Sequence, residues 1–200
     1  MSVVIPFARY HKRRLVPPLV FVAMSARQLA CSEGFGTEQI APVLAKCRML
    51  LERTRGEGWP VAFVGERRRV HGHSRPLWIE GLAPQRRDMV FEATGLSCYT
   101  SPEFADAMAA AGNAYVLAGF SGESACLSTL IDAPRHGHNA TFIQDASATR
   151  PLPGYDAEES HRAVTAIAGR YATIVTAERW LEVAGVEKSQ PESRHDIAIR

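Results

Sequence analysis

The chain has 200 residues, of which 46% are hydrophobic, which is enough for one globular domain with a sizeable core. Its 23 basic and 21 acidic residues give a net charge of +2, too small to indicate a nucleic acid or a membrane surface as partner. The basic clusters at 12–14, 67–69 and 86–87 are short and scattered, so we interpret them as solvated charge on turns and helix ends.

The four cysteines, Cys31, Cys47, Cys98 and Cys126, form no C-x-x-C pair, and no secretory leader precedes them. Reduced thiols in a cytoplasmic protein are therefore expected. The apolar run at 15–24 is too short for a membrane span and contains two prolines, so we interpret it as a buried strand.

The first half of the chain alternates strand and helix signals. Leu19–Met24 is a continuous apolar run, typical of a strand covered on both faces. Glu38–Gly58 has apolar residues at helical spacing and ends on glycine, as a helix does. Pro60–Val64 predicts a second strand. Residues 65–87 show little periodicity and predict a long irregular connection, a kind of segment that often covers a functional site.

The second half continues the alternation. Asp88–Phe91 begins a third strand, and a helix runs from Pro102, with Ser101 as its N-cap, to about Gly112. The patterns then predict strands at Tyr115–Ala118, Ala140–Gln144 and Thr173–Thr176, and helices at Gly122–His136 and Asp156–Arg170. This order predicts βαβ units around a parallel sheet, with ligands at the carboxyl ends of the strands. We divide the chain into an N-terminal extension (1–17), one α/β domain (18–186) and a polar tail (187–200).

One segment carries a family resemblance. Residues 119–133 read Gly-Phe-Ser-Gly-Glu-Ser-Ala-Cys-Leu-Ser-Thr-Leu-Ile-Asp-Ala. They resemble the nucleophile segment of the isochorismatase-like cysteine hydrolases, roughly Gly-Phe-Ala-Thr-Glu-Ser-Cys-Val-Leu-Ser-Thr-Ala-Leu-Asp-Ala. Residues 144–149, 160–162 and 173–178 also look like the family. The resemblance implies a three-layer α/β/α sandwich with a six-stranded, mainly parallel sheet in the order 3-2-1-4-5-6.

The same resemblance implies a catalytic cysteine, an aspartate that takes its proton and a lysine that lowers the pKa of the thiol. An ungapped comparison places the cysteine at Ala125. The aspartate at the end of the first strand corresponds to Ala23, within Phe-Val-Ala-Met-Ser. The lysine that ends the third strand corresponds to Ala93, within Asp-Met-Val-Phe-Glu-Ala. Alanine carries neither a transferable proton nor a charge, so all three roles are lost together.

Two origins of the alanines remain open, a natural pseudoenzyme or an engineered triple-alanine variant. Gly122 stands where the family usually has threonine, and Ser25 where it usually has glutamine; such changes outside the triad favour natural drift. The isochorismatases of this family that cleave a vinyl ether dispense with the cysteine but keep the aspartate. Ala23 excludes that chemistry too.

Neighbouring groups are the alternative source of activity. Cys126 follows Ala125 at a helix start, where a thiolate is favoured. One residue along a helix turns a side chain by about 100 degrees, however, so a buried, inert thiol is the simpler interpretation. Glu92 adjoins Ala93 but points to the opposite face of its strand. Glu123 is better interpreted as a charge at the helix N-terminus than as a general base.

The expected function is a non-catalytic member of this family that binds a small polar or carboxylated ligand or completes an assembly. Such an assembly would be a homo-oligomer (dimer or tetramer) or would contain an active homologue. The alternative is an active amide hydrolase that uses displaced groups such as Cys126. The residues proposed to line a ligand pocket adjoin the three alanines: Met24, Ser25, Ser97, Tyr99, Phe120, Ser121 and Gly122.

No cofactor or metal is expected. Nicotinamidases of this superfamily bind zinc through an aspartate and histidines after the second strand. The matching region here has only His71 and His73, with no secured third ligand. His136 and His138 flank Gly137 at a predicted helix end, where a role in capping is the plainer account.

Overall fold

The computed structural model describes residues 16–22, 37–66 and 78–185. Its strands are β1 (Leu19–Val22), β2 (Val61–Glu66), β3 (Met89–Ala93), β4 (Ala114–Gly119), β5 (Asn139–Ser147) and β6 (Ala172–Val175). Its α-helices are α1 (Thr37–Gly56), α2 (Pro102–Ala110), α3 (Leu127–Asp132), α4 (Ala157–Ala168) and α5 (Ala177–Ala184). A π-helical turn, Gly122–Cys126, precedes α3, and 3₁₀ turns lie at Cys98–Thr100 and Ala133–His136.

The strands form one parallel sheet in the order β3-β2-β1-β4-β5-β6. The predicted strand order is therefore confirmed. Leu19 of β1 lies beside Val61 of β2 and Val116 of β4, so the first strand is central. All four residues of β1 are buried, as its continuous apolar sequence predicts.

Alternate residues of each strand point to opposite faces of the sheet and build two cores. Leu19 and Phe21 pack in one core, beneath α1 and α5, where Phe21 meets Phe63 edge-on at 5.5 Å between ring centroids. Val20 and Val22 pack in the other core, beneath α2, α3 and α4. The result is the three-layer α/β/α sandwich expected from the sequence.

Several predicted boundaries change. The chain continues from β6 through the Thr176 N-cap into α5, a helix that the sequence patterns did not predict. The predicted helix at Gly122–His136 is three consecutive segments, of which only the middle one is α-helical. Ser101 does sit at the N-cap of α2, but its hydroxyl donates to Glu103 instead of capping the backbone.

The first two residues of the predicted connection at 65–87 belong to β2. Residues 67–77 of that connection lie outside the described part of the chain, as do the terminal extension up to residue 15 and the polar tail. No helix within the described ranges combines the length and the apolar character needed to cross a membrane.

Candidate functional site

The end of β4 runs very close beside the end of β1, its neighbour in the sheet. Gly119 has φ of +115°, and a Cβ built on it would lie 2.2 Å from the carbonyl oxygen of Val22, so only glycine fits. Phe120 N–H then donates to the same oxygen at 3.0 Å. This close approach places residues 120–126, called the nucleophile turn below, at the carboxyl ends of the two central strands. Ligands bind at this edge in sheets of this kind.

Hydrogen bonds hold the nucleophile turn in place. The peptide bond between Phe120 and Ser121 is cis. The hydroxyls of Ser121 and Ser124 are hydrogen-bonded to each other, and Cys126 N–H donates to the carbonyl oxygen of Ser121 at 3.0 Å. Gly122 N–H donates to Ala148 O at 2.8 Å, which ties the turn to the segment that follows β5.

Ala93 and Ala125 face the same apolar layer. Ala93 ends β3 and is buried in the core beneath α2, α3 and α4, and Ala125 is partly buried against that same core. Glu92, one residue earlier, is exposed, as the alternation of a strand requires. Ala23, Met24 and Ser25 lie outside the described residues, so the third position predicted from the sequence has no structural description.

Cys126 lies in the core. Its side chain is 0% exposed, and the thiol donates to the carbonyl oxygen of Gly119 at 3.6 Å. Burial raises the pKa of this thiol well above its ordinary value, and the nearby Cys98 thiol and Glu123 carboxylate raise it further. The helix start therefore does not make Cys126 a thiolate, because desolvation outweighs the favourable backbone dipoles.

The other thiols of the described residues are also buried. Cys98 is 1% exposed, and burial raises its pKa to about 12. Cys47 donates to the carbonyl oxygen of Ala146 at 3.2 Å, and burial raises its pKa still further. Burial therefore disfavours the thiolate form of all three. Cys31 lies outside the described ranges.

Two of the proposed pocket residues have other roles. Ser97 accepts a hydrogen bond from Tyr99 N–H and thereby caps a 3₁₀ turn. The Tyr99 ring stacks on His136 at 4.1 Å, and its hydroxyl is hydrogen-bonded to His138 Nδ1 at 2.8 Å. His136 ends the 3₁₀ turn that follows α3, so it lies at the opposite end of the helical segment from Ala125. Tyr99 thus packs near the far end of the helical segment and does not face the nucleophile turn.

Phe120 also points elsewhere. Its ring meets Phe21 edge-on at 6.4 Å in the core beneath α1 and α5, on the other side of the sheet from Ala93 and Ala125. The other proposed pocket residues within the described ranges, Ser121 and Gly122, follow Phe120 in the nucleophile turn, and both are buried.

Glu123 is held by Arg150, a partner that the sequence did not reveal. Its carboxylate accepts from Arg150 Nε at 2.7 Å and from Arg150 N–H at 3.3 Å. The side chain is only 12% exposed. The pair fastens the nucleophile turn to the segment after β5, so Glu123 serves as a structural anion at the helix start.

A cavity near Gly122, with a mainly apolar lining, is the feature that the sequence analysis missed. It has a volume of about 270 Å³ and lies between the first turns of α1 and α4 and the end of β5. Thr149 and His161 line it, and their side chains are hydrogen-bonded to each other at 3.1 Å. Both residues fall in the stretches that resemble the family, 144–149 and 160–162, which is the signal that could have found them.

No group of three or more potential metal ligands occurs within the described ranges. His71 and His73 lie outside them. His136 and His138 flank Gly137, whose φ of 71° ends the helical segment in the left-handed conformation. Gly137, and neither of the two histidines, therefore caps this end of the helical segment.

Comparison with known proteins now identifies the family. The isochorismatase domain profile matches residues 19–179. The protein belongs to the isochorismatase family. A search of curated proteins gives no significant match.

Solved structures agree on the fold. A protein of the isochorismatase family from Chromobacterium violaceum superposes with a TM-score of 0.76 at 18% identity, over 92% of this chain and 99% of that one. An isochorismatase from Pseudomonas putida gives 0.71 at 22% identity, over 82% and 89%. A cysteine hydrolase from Pseudomonas syringae gives 0.71 at 18% identity, over 85% and 94%. At these identities the similarity establishes the fold alone.

Proposed function

We propose that this isochorismatase-family protein does not perform cysteine-dependent hydrolysis and acts by binding a small ligand or by completing an assembly. The observation that carries the proposal is the chemistry of the nucleophile turn. The sequence resemblance places Ala125 at the position of the family's nucleophile, and the adjacent Cys126 is buried with its pKa raised. A thiol that is neither accessible nor ionised cannot attack an amide.

The position of Ala93 supports the same proposal. A lysine there would lower the pKa of a nearby thiol and stabilise negative charge. Ala93 is instead 4% exposed within an apolar core. Glu123 cannot take over as a base without giving up its pair with Arg150. Of the groups considered as substitutes, Cys126 is thus buried, Glu123 is paired with Arg150, and Glu92 is exposed on the opposite face of its strand from Ala93.

The environment of Gly122 supports a natural origin for these changes. A Cβ at residue 122 would lie 2.6 Å from Thr149 Oγ1 and 3.1 Å from Ala148 O. The threonine usual in the family would therefore not fit beside this Thr149. The small residue at 122 therefore leaves the space that Thr149 occupies. Such a fit is expected when natural divergence changes several residues of the turn together, and not when only the triad positions are altered by engineering.

The test is ammonia release from a panel of primary amides and ureas by the purified protein and by Cys126→Val. We expect no turnover above the uncatalysed rate with either protein. Multiple turnovers that disappear in a folded Cys126→Val variant would overturn the proposal and support the alternative, an amide hydrolase that uses Cys126.

The assembly role has its own test. Light scattering on the full chain and on a chain lacking residues 187–200 reports the oligomeric state. A dimer or tetramer supports an assembly, and a monomer in both cases counts against it. The buried, unpaired thiols are those of a protein kept in a reducing compartment, so we propose a cytoplasmic location.

A further inference from the structure

The cavity between α1, α4 and the end of β5 is suited to a ligand. Its volume of about 270 Å³ lies just below the range typical of sites for small molecules. Ile40 and Val43 of α1 form an apolar wall, and Thr149 and His161 supply polar groups. Neither Ala93 nor Ala125 is among its described lining residues, so the cavity is separate from these two positions.

The hydrogen bonds of His161 define which atoms of the cavity donate and which accept. His161 Nε2 lies 2.8 Å from the carbonyl oxygen of Gln144. Because a carbonyl only accepts, Nε2 carries the proton and Nδ1 is the acceptor. The Thr149 hydroxyl therefore donates to Nδ1 at 3.1 Å, and its remaining lone pair is available to accept a hydrogen bond from a ligand.

The charge around the cavity narrows the ligand class. Glu158 is exposed and lines the cavity, so a carboxylate lies where the cavity meets solvent. The described lining residues include no lysine or arginine. An anionic ligand would meet like charge with no counter-charge, whereas a neutral or cationic donor would not.

We propose that this cavity binds a compact, mainly apolar molecule that carries a hydroxyl or amino group at one end. The donor hydrogen-bonds to Thr149, and the apolar body packs against Ile40 and Val43. This site rests on the ligand-binding role proposed above and supplies its ligand class, with carboxylated molecules excluded.

The test is an NMR titration of the full-length protein with cyclohexanol, cyclohexylamine and cyclohexanecarboxylate. We expect saturable shifts at the cavity residues with the alcohol or the amine, and binding of the carboxylate at least tenfold weaker. Equal binding of the carboxylate, or no saturable shift with any of the three probes, would overturn the site.

Paired variants locate the binding. Val43→Trp fills the cavity and is expected to weaken binding at least tenfold. Ala45→Trp places the same side chain on an exposed position of the same helix and is expected to leave binding unchanged. Equal losses in both variants would contradict the assignment. Should Val43→Trp fail to fold, Thr149→Val decides: tenfold weaker binding of the alcohol is expected, and unchanged binding refutes the proposal.

The two proposals fail separately. Absence of probe binding removes this site and leaves the non-hydrolytic proposal intact. Amide turnover removes the non-hydrolytic proposal, and the titration then still reports whether the cavity binds its probes.

Discussion

Adding a single methyl group at Gly122 tests the fit between the nucleophile turn and the segment after β5. In Gly122→Ala the new Cβ would lie 2.6 Å from Thr149 Oγ1, closer than side chains tolerate. Thr149 is 2% exposed, and its hydroxyl is held by His161, so it cannot move away freely. Either the backbone shifts, or Thr149 rotates and loses that hydrogen bond.

The magnitude follows from these contacts. Overpacking of a buried site costs about 1–3 kcal/mol, and loss of the Thr149–His161 hydrogen bond costs about 1 kcal/mol. Replacing glycine also restricts the unfolded chain, which raises the free energy of unfolding by about 0.4–1 kcal/mol. The net expectation is a loss of about 1–3 kcal/mol in the free energy of unfolding, or about 2–12 °C in Tm for a chain of this size.

Urea denaturation of four proteins measures this effect: wild type, Gly122→Ala, Thr149→Ala and the double variant. If the clash is the cause, Gly122→Ala is much less costly in the Thr149→Ala background, and the coupling free energy is at least about 1 kcal/mol. A neutral or stabilising Gly122→Ala would refute the reasoning. Additive single and double variants would show that residues 122 and 149 are not matched.

The remaining predictions concern two buried groups. Cys126→Ser places a hydroxyl in an apolar core and is expected to lower the free energy of unfolding by about 1–3 kcal/mol. The control Cys126→Val is expected to lower it by less than about 1.5 kcal/mol. Denaturant titrations measure both, and unchanged stability of Cys126→Ser would favour an exposed thiol. Burial, with help from His136, lowers the pKa of His138 below its ordinary 6.5. The unfolded chain therefore binds this proton more readily, so the contribution of His138 to stability is complete above about pH 6.5 and is lost as the pH falls below that value. Thermal melts from about pH 8 to 5 should show a smaller loss in His138→Asn than in wild type, and an equal loss would contradict this.

Much of the fold could be predicted because apolar runs mark buried strands directly. Leu19–Val22 and Val61–Val64 are continuous apolar stretches, and both lie in the sheet. The end of β5 was predicted three residues too early, because Asp145 and Ser147 break the apolar pattern. Asp145 is accommodated there since its carboxylate accepts from Ala177 N–H at 2.8 Å, a long-range contact invisible in the local sequence.

The site was less predictable, because contacts between residues far apart in the chain position its side chains. The sequence resemblance directed attention to residues 120–126, and side-chain direction along a helix predicted the core position of Cys126. The sequence did not reveal that Glu123 pairs with Arg150 or Thr149 with His161, because these partners are 27 and 12 residues apart in the chain. Tyr99 was placed in the pocket by its position after β3, but stacking on His136 draws it away. Helix α5 has only eight residues, too few for a clear periodic signal.

The most direct test of the central claim, that this family member lacks a cysteine nucleophile at the turn, is the alkylation rate of each cysteine against pH. Peptide mass spectrometry reads out each site after brief exposure to iodoacetamide, in the folded and in the urea-unfolded protein. The account predicts that Cys126 reacts only as fast as the protein unfolds, since its thiol is fully buried. Rapid reaction of Cys126 in the folded protein, with an apparent pKa well below about 8.5, would contradict it.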